Sequence, residues 1–136
     1  MRTPRRYPKR TWKPILGTIT FLASAEKLAD VRPLLTRVVD ALGTNAAARL
    51  LGADRAQVSR WGAGTELIGG EMGRRIVDLH DVLTRILRAY NREAAAMWLA
   101  GSEPLLGGAR PIDVLATEGA APVIRAIDGI MQGVYA

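Results

Sequence analysis

Apolar residues recur at intervals of three or four along most of the chain, which is the period of an amphipathic helix. The longest such series lies in the middle of the chain, and its spacings alternate between four and three. Its members are Met72, Ile76, Leu79, Leu83, Ile86 and Tyr90. They predict one long helix, and Val82 and Leu87 widen its apolar stripe enough for both a core and a contact with another helix.

Turn and capping residues divide the remaining chain into shorter helices. Glycines at 43, 52 and 119 are suited to end or separate helices. Asn91 is suited to cap a helix N-terminus, and Pro111 to lie in a first turn. The expected helices are Pro33 to Leu42, Thr44 to Leu51, about Asp54 to Trp61, Arg92 to Ala100, Ile112 to Thr117 and Ala121 to Gln132. The predicted fold class is therefore all-α.

The first fourteen residues differ from the rest in composition. They contain three prolines and six basic residues without an acidic one. Since the rest of the chain has 13 basic and 13 acidic residues, this segment carries the whole net charge of +6. Such blocks are typically disordered and often neutralise phosphates. We predict a disordered basic arm over residues 1–14 that contacts nucleic acid; the alternative is a solvated leader that only aids solubility.

The segment after the arm leaves several interpretations open. Ile15 to Leu22 could form a short strand or an apolar tether, and Ser24 to Asp30 could begin a helix. Together with the preceding basic residues, the run to Ala25 also has the outline of a secretory signal. Glycine and threonine interrupt this run, so a cytoplasmic location is favoured. No apolar run approaches the roughly 20 residues of a membrane span.

Ala48, Gly52 and Val58 have the spacing that a helix-turn-helix requires. The small residue lets two helices approach, the glycine permits the tight turn and the valine anchors the second helix to the core. Leu51 and Trp61 complete the buried side. The segment therefore predicts a helical hairpin of the kind that enters DNA grooves.

The polar residues of this hairpin predict a DNA-binding face. Arg55 could pair with guanine and Gln57 with adenine, because each can offer two hydrogen bonds to one base edge. Arg60, Ser59, Thr44 and Asn45 are better placed for phosphates. The expected DNA-binding residues are Thr44, Asn45, Asp54, Arg55, Gln57, Ser59 and Arg60. Over residues 35–64 the chain resembles the Xre-type helix-turn-helix of phage and bacterial repressors; the alternative is a hairpin that only folds the domain.

No group of residues in the sequence supports catalysis. The chain has no cysteine and one histidine, which excludes thiolate chemistry and disfavours a zinc site. Asp78, His80 and Asp81 do not converge on a helix and lack a nucleophile, so a solvated face is predicted. Gly69 to Arg75 lacks the ending of a phosphate-binding loop, and a flexible helix start is predicted there. We expect no enzymatic activity, no cofactor and no metal.

The last third, Asn91 to Ala136, has apolar periodicity without a reactive group, which favours a surface for another protein. Its ordered features are Met97-Trp98-Leu99, Ser102, Pro104-Leu105-Leu106, the run Gly107 to Leu115, and then Val123, Ile127 and Gly133. This order resembles the toxin-binding domain of the Xre/MbcA/ParS family of bacterial antitoxins. The resemblance covers about Val82 to Ala136.

The resemblance implies a type II antitoxin that forms a homodimer within a larger toxin–antitoxin complex and represses its operon by binding operator DNA. The implied partner is a RES-domain toxin, which resembles ADP-ribosyltransferases and degrades or uses NAD. In the family, the antitoxin's C-terminal end enters the toxin active site and obstructs NAD. The toxin-binding residues carried over are Trp98, Pro104, Leu105, Pro111, Gly133, Val134, Tyr135 and Ala136.

The implied organisation is a basic arm at 1–14, an Xre-like helix-turn-helix bundle at 15–66, and a helical dimerisation and toxin-binding domain at 67–136. The basic arm is not part of the family pattern. Two alternatives stay open: a stand-alone helix-turn-helix transcriptional regulator whose last third only dimerises it, and a vestigial helix-turn-helix with only the toxin contact retained.

Overall fold

The chain between residues 31 and 135 folds into seven α-helices and one 3₁₀ turn. The computed structural model describes residues 31–135, with side chains as far as Gly133. The helices are α1 Arg32–Leu42, α2 Thr44–Leu51, α3 Arg55–Ala63, α4 Gly70–Ile86, α5 Arg92–Ala100, α6 Pro111–Glu118 and α7 Ala120–Tyr135, with the 3₁₀ turn at Pro104–Leu106. No strand occurs in this range, which confirms the all-α fold class. The expectations for residues 1–30 and 136 lie outside it.

Local signals set most helix ends where the sequence predicts them. The Asn91 side chain accepts a hydrogen bond from the Ala94 N–H at 2.8 Å and so caps α5. Pro111 lies in the first turn of α6, where a missing N–H costs nothing. Gly43 follows α1 with φ 87°, a backbone conformation that only glycine adopts readily.

The long helix ends earlier than its apolar stripe predicts. α4 stops at Ile86, and Tyr90 lies in the turn that follows. In this turn the N–H groups of Arg88 and Ala89 donate to carbonyls three residues earlier, both at 3.1 Å. The tighter turn redirects the chain toward the cap of α5, while Tyr90 still packs against the core. The prediction that Tyr90 lies on the long helix is therefore wrong.

The last helix is longer than predicted. α7 begins at Ala120 and continues to Tyr135, beyond the expected end at Gln132. Gly133 does not stop it, because a glycine inside a helix costs only about 1 kcal/mol relative to alanine.

One cluster of buried side chains joins all seven helices. α1 packs against α4, and both α4 and α6 pack against α7. The cluster extends from Val31 to Ile127, so the helix-turn-helix and the last third share a core, and the domain boundary at 66 stays a prediction. None of the helices between residues 31 and 135 has the length and apolarity that crossing a membrane requires.

Leu79→Ala is expected to lower the free energy of unfolding by about 2–5 kcal/mol, because it leaves a cavity at the centre of the shared core. Leu79 has 0% exposure. Val77→Ala is the matched control on the same helix, since Val77 is 38% exposed, and its cost should stay below about 1 kcal/mol. Urea unfolding monitored by circular dichroism measures both, and equal losses would contradict this assignment of the core.

Candidate DNA-binding and protein-binding surfaces

α2 and α3 form a helical hairpin with the geometry that the sequence predicts. Ala48 and Val58 are only 4% and 2% exposed, and Trp61 is buried beside them. Gly52 ends α2 with φ 70°, and the next N–H, of Ala53, donates to the Ala48 carbonyl at 2.9 Å. The steric roles of Ala48, Gly52 and Val58 are thereby confirmed.

The residues expected to bind DNA lie in different environments on this hairpin. Those exposed on its surface are Asn45, Asp54, Arg55, Ser59 and Arg60. Thr44 and Gln57 are half-buried. Asp54 accepts a hydrogen bond from the Gln57 N–H at 2.7 Å, so its carboxylate caps the N-terminus of α3. The DNA contacts of all seven residues stay predictions.

Glu66 holds two of these side chains, those of Gln57 and Arg60. One carboxylate oxygen of Glu66 accepts a hydrogen bond from Gln57 Nε2 at 3.0 Å, and the other accepts one from Arg60 Nε at 2.8 Å. These bonds, the one from Arg60 first, lower the pKa of Glu66 from its ordinary value. Glu66 therefore carries a negative charge beside the exposed face of α3 at neutral pH.

Sequence reasoning did not find Glu66, because six residues separate it from Arg60 and such a spacing has no meaning on a helix. α3 ends at Gly64 with φ 79°, and the chain reverses there. The N–H groups of Thr65 and Glu66 both donate to the Arg60 carbonyl, at 3.0 and 3.3 Å. The left-handed glycine was the available signal, since it turns the following residues back over the last helical turn.

Position 64 favours glycine because its φ of 79° strains any other side chain. A Cβ atom there would also meet the guanidinium of Arg32, but this is the end of a flexible side chain that can move aside. The reversal that places Glu66 therefore depends on the backbone conformation of Gly64.

A second cluster lies between α5 and the 3₁₀ turn and is centred on Glu103. This residue is 7% exposed. One carboxylate oxygen accepts a hydrogen bond from the Trp98 indole Nε1 at 2.7 Å, and the other accepts one from the Leu105 N–H at 2.7 Å. A buried carboxylate is tolerated when both oxygens are paired. Glu103 therefore joins Trp98 and Leu105, two residues expected to contact a toxin.

Backbone hydrogen bonds close the loop around Glu103. The Glu103 carbonyl accepts from the N–H groups of Leu106 and Gly108 at 3.0 and 2.9 Å. The Ser102 hydroxyl donates to the Gly108 carbonyl at 2.7 Å. Gly107 and Gly108 have φ values of 68° and 88°, which allow the tight reversal. We call residues 97–111 the platform, because these bonds fix its shape.

Apolar side chains cover the outside of the platform. Met97 is 74% exposed and Leu105 is 58% exposed, and Pro104 is also exposed. The Leu105 Cδ1 atom lies 3.1 Å from where a Cβ of Gly129 would be, so Leu105 rests against α7. Pro111 is fully buried beneath the loop. Pro104 and Leu105 thus place two adjacent exposed apolar side chains on a fixed loop, a feature found at protein-binding surfaces.

Glu103 was not among the residues predicted from the sequence. Ser102, Glu103 and Pro104 together have the composition of an ordinary loop. The signal that could have found it is its place directly before a proline-initiated turn, where a carboxylate is suited to cap the first N–H groups.

Glu103→Ala is expected to lower the free energy of unfolding by about 2–6 kcal/mol, because it leaves the Trp98 and Leu105 donors without their acceptor at about 1–3 kcal/mol each. Glu118→Ala is the control, since Glu118 is exposed at the end of α6. Urea unfolding measures the loss, and the near-ultraviolet circular dichroism of the Trp98 indole reports on its surroundings. A Glu103→Ala chain as stable as the control would contradict the central role of this carboxylate.

Exposure increases toward the end of α7. Ile127 is 1% exposed and is the last buried residue among the described side chains. Met131 is half-buried and packs against the core, whereas Gln132 and Gly133 are exposed. The backbone of α7 continues to Tyr135. Gly133, the first residue of the segment expected to block a toxin, therefore lies beyond the last core contact that the structure describes.

The acidic residues around His80 do not form a catalytic arrangement. Asp81 lies 3.4 Å from Arg85 in an ion pair. Burial raises the pKa of Asp78 from its ordinary value. Asp78, His80 and Asp81 are each partly exposed, and the side chain of Asp81 is 48% exposed, so this side of α4 is in contact with solvent but partly shielded from it.

The segment predicted as a helix start is the beginning of α4. The helix starts at Gly70, and an exposed ion pair of 3.2 Å joins Glu71 to Arg75 one turn later. This confirms the predicted helix start.

Comparisons with known proteins give one clear likeness, at the level of the fold. No family profile matches the chain, and no curated protein sequence does. The structure superimposes on a chain from the crystal structure of the M. tuberculosis MbcT–MbcA toxin–antitoxin complex with a TM-score of 0.63. The two chains are 21% identical, and the match covers 79% of this chain and 98% of the other. The helical arrangement of this protein is thus one found in a toxin–antitoxin complex.

Proposed function

We propose that this chain is the antitoxin of a type II toxin–antitoxin pair. It neutralises a RES-domain, NAD-degrading toxin by steric blockade and represses its own operon. The observation that supports this most strongly is the fold shared over 79% of the chain with a component of a toxin–antitoxin complex. In this role the chain acts stoichiometrically, in the cytoplasm, and performs no chemistry.

The platform is the proposed docking surface for the toxin. Its apolar groups, Met97 and Leu105, are exposed, yet the loop that carries Leu105 is tied to Trp98 through Glu103. A surface whose backbone is already fixed loses less conformational entropy when a partner binds. This combination of exposure and order favours a binding role for the platform.

The end of α7 is the proposed plug. Beyond Met131, which packs against the core, the backbone of α7 continues as one further helical turn to Tyr135, so this turn can carry the last residues toward a partner. Beside the platform, Leu105 contacts this helix at Gly129. A toxin bound to the platform would therefore meet the end of α7. The Gly133 to Ala136 segment then blocks the NAD pocket, and a tyrosine ring with a polar tip suits a nucleotide site.

Operator binding is the second part of the proposal. The α2–α3 hairpin has exposed polar residues on α3 and a buried side that fixes the angle between the helices. In a homodimer, two such hairpins would read half-sites about 34–36 Å apart. Repression follows when this dimer covers the promoter of its own operon.

Co-expression with the product of the adjacent reading frame tests the proposed function. The partner alone is expected to arrest growth and deplete cellular NAD, and the full chain is expected to restore both. Leu105→Asp should weaken co-purification of the two proteins about tenfold or more, as expected for a central apolar contact. Val77→Asp, at an exposed position of α4, is the control. If the partner is not toxic and does not co-purify with this chain, the stand-alone regulator is favoured instead.

A further inference from the structure

The turn after α3 places a carboxylate against the helix that carries the DNA-reading residues. Gly64 reverses the chain, and the Arg60 carbonyl then accepts hydrogen bonds from the N–H groups of Thr65 and Glu66. Glu66 is thereby returned to the side of α3 on which Gln57 and Arg60 lie, three residues apart. Its side chain is 33% exposed, so it borders the surface that would face DNA.

The chemistry of Glu66 determines which end of the Gln57 amide is free. An ionised carboxylate only accepts hydrogen bonds, so the group that Gln57 offers it must be the NH₂ group. Gln57 Nε2 lies 3.0 Å from one Glu66 oxygen. The carbonyl oxygen Oε1 of Gln57 is consequently turned away from Glu66.

Arg60 keeps Glu66 in this position and keeps it charged. Its Nε lies 2.8 Å from the second carboxylate oxygen, and this hydrogen bond is the largest cause of the lowered pKa of Glu66. Because this hydrogen bond uses Nε, the terminal nitrogens of the guanidinium can bind a phosphate. The three side chains form one unit, with Glu66 at its centre.

We propose that Glu66 sets the base preference of the helix-turn-helix by fixing the orientation of the Gln57 amide. This rests on the proposed operator binding. One N–H of the Gln57 NH₂ group is bound to Glu66, so the side chain offers DNA its carbonyl oxygen and its second N–H. These two groups match the N6 donor and the N7 acceptor of adenine in the major groove. Thymine and guanine present the acceptors O4 and O6 where the fixed carbonyl oxygen needs a donor, so they are disfavoured.

Selection from a pool of duplex DNA with a randomised central segment tests this, with the full chain as bait. The wild-type chain is expected to enrich adenine at one position of each half-site. Glu66→Ala frees the Gln57 amide to rotate, so that it can also offer its NH₂ group to thymine or guanine. The excess of adenine over these two bases should then fall by up to about 5- to 150-fold, the discrimination that a two-bond pair provides.

Two further variants separate the specific effect from a general one. Glu71→Ala removes an exposed carboxylate from the first turn of α4 and should leave the base preference unchanged. Gln57→Ala should abolish the preference at that position while other positions keep theirs. If Glu66→Ala unfolds, as a loss of helical circular dichroism would show, Gln57→Ala still tests the proposal, because it leaves the turn after α3 intact.

The outcomes distinguish this inference from the function on which it rests. If wild type and Glu66→Ala enrich the same bases at every position, or if Gln57→Ala keeps the wild-type preference, the role of Glu66 in base reading is refuted while DNA binding stands. If the wild-type chain enriches no sequence, the proposed operator binding is refuted and the inference with it.

Discussion

Deletion of Gly133 to Ala136 is expected to abolish neutralisation of the toxin while leaving the helical body folded. The body should stay folded because Ile127 is the last buried side chain of the described part of α7 and Gly133 is exposed. The deletion therefore begins beyond the last buried side chain that the structure describes. It removes the whole of the proposed plug, so the proposed blockade of the active site should be lost.

Growth and NAD content of cells that co-express the toxin measure the loss of function. The thermal unfolding midpoint of the purified chain checks the body and should shift by less than about 4 °C, the change that accompanies a loss of about 1 kcal/mol in a domain of this size. Gln132→Ala, at an exposed position of the same helix, should neutralise normally. Continued neutralisation by the truncated chain would eliminate the plug mechanism.

Co-purification shows whether the platform and the plug act separately. The truncated chain is expected to remain bound to the toxin through the platform, with faster dissociation. A truncated chain that binds but does not neutralise would assign affinity to residues 97–111 and inhibition to the end of α7. Loss of both properties would place the main contact in the last four residues instead.

Local chemistry accounts for the parts of the fold that the sequence predicts. Asn91 and Pro111 act through their own backbone neighbourhood, so their roles at helix ends can be recognised without knowing the fold. The helical hairpin is predictable for the same reason: Ala48, Gly52 and Val58 lie within eleven residues, and their steric roles follow from their size.

The two acidic residues that organise the candidate surfaces were not predictable in this way. Glu66 meets Gln57 and Arg60 only because the chain reverses at Gly64, and Glu103 meets Trp98 only because α5 ends in a closed loop. Neither contact has the spacing of three or four that marks neighbours on a helix. Such pairs depend on turn geometry, and the sequence shows the turn without showing which side chains it brings together.

The length of α4 shows a different limit. The apolar stripe includes Tyr90, and Tyr90 does pack against the core, but it reaches the core from a turn. Periodicity reports which residues are buried, and a residue just past a helix end can be buried at the same spacing. The cap at Asn91 was the better guide to where the helix had to stop.

Replacing all six basic residues of the segment 1–14 by glutamine is expected to weaken operator binding strongly and to make it much less sensitive to salt. The α2–α3 hairpin offers little charge of its own, since residues 44–66 contain three arginines and two acidic residues. One of those arginines, Arg60, is already paired with Glu66. We therefore expect most of the electrostatic part of the proposed operator binding to come from the six cations near the N-terminus.

The logarithm of the binding constant falls with the logarithm of salt concentration by about 0.9 for each phosphate neutralised. Loss of six contacts should therefore flatten this slope by about 5. Titration of the promoter DNA at several salt concentrations measures it, with Arg125→Gln, at an exposed position of α7, as the charge control. Base preference should persist, because Gln57 and Arg55 remain. An unchanged slope would mean that the N-terminal cations do not contact DNA, and the chain would then have to bind its operator through the weakly charged hairpin alone.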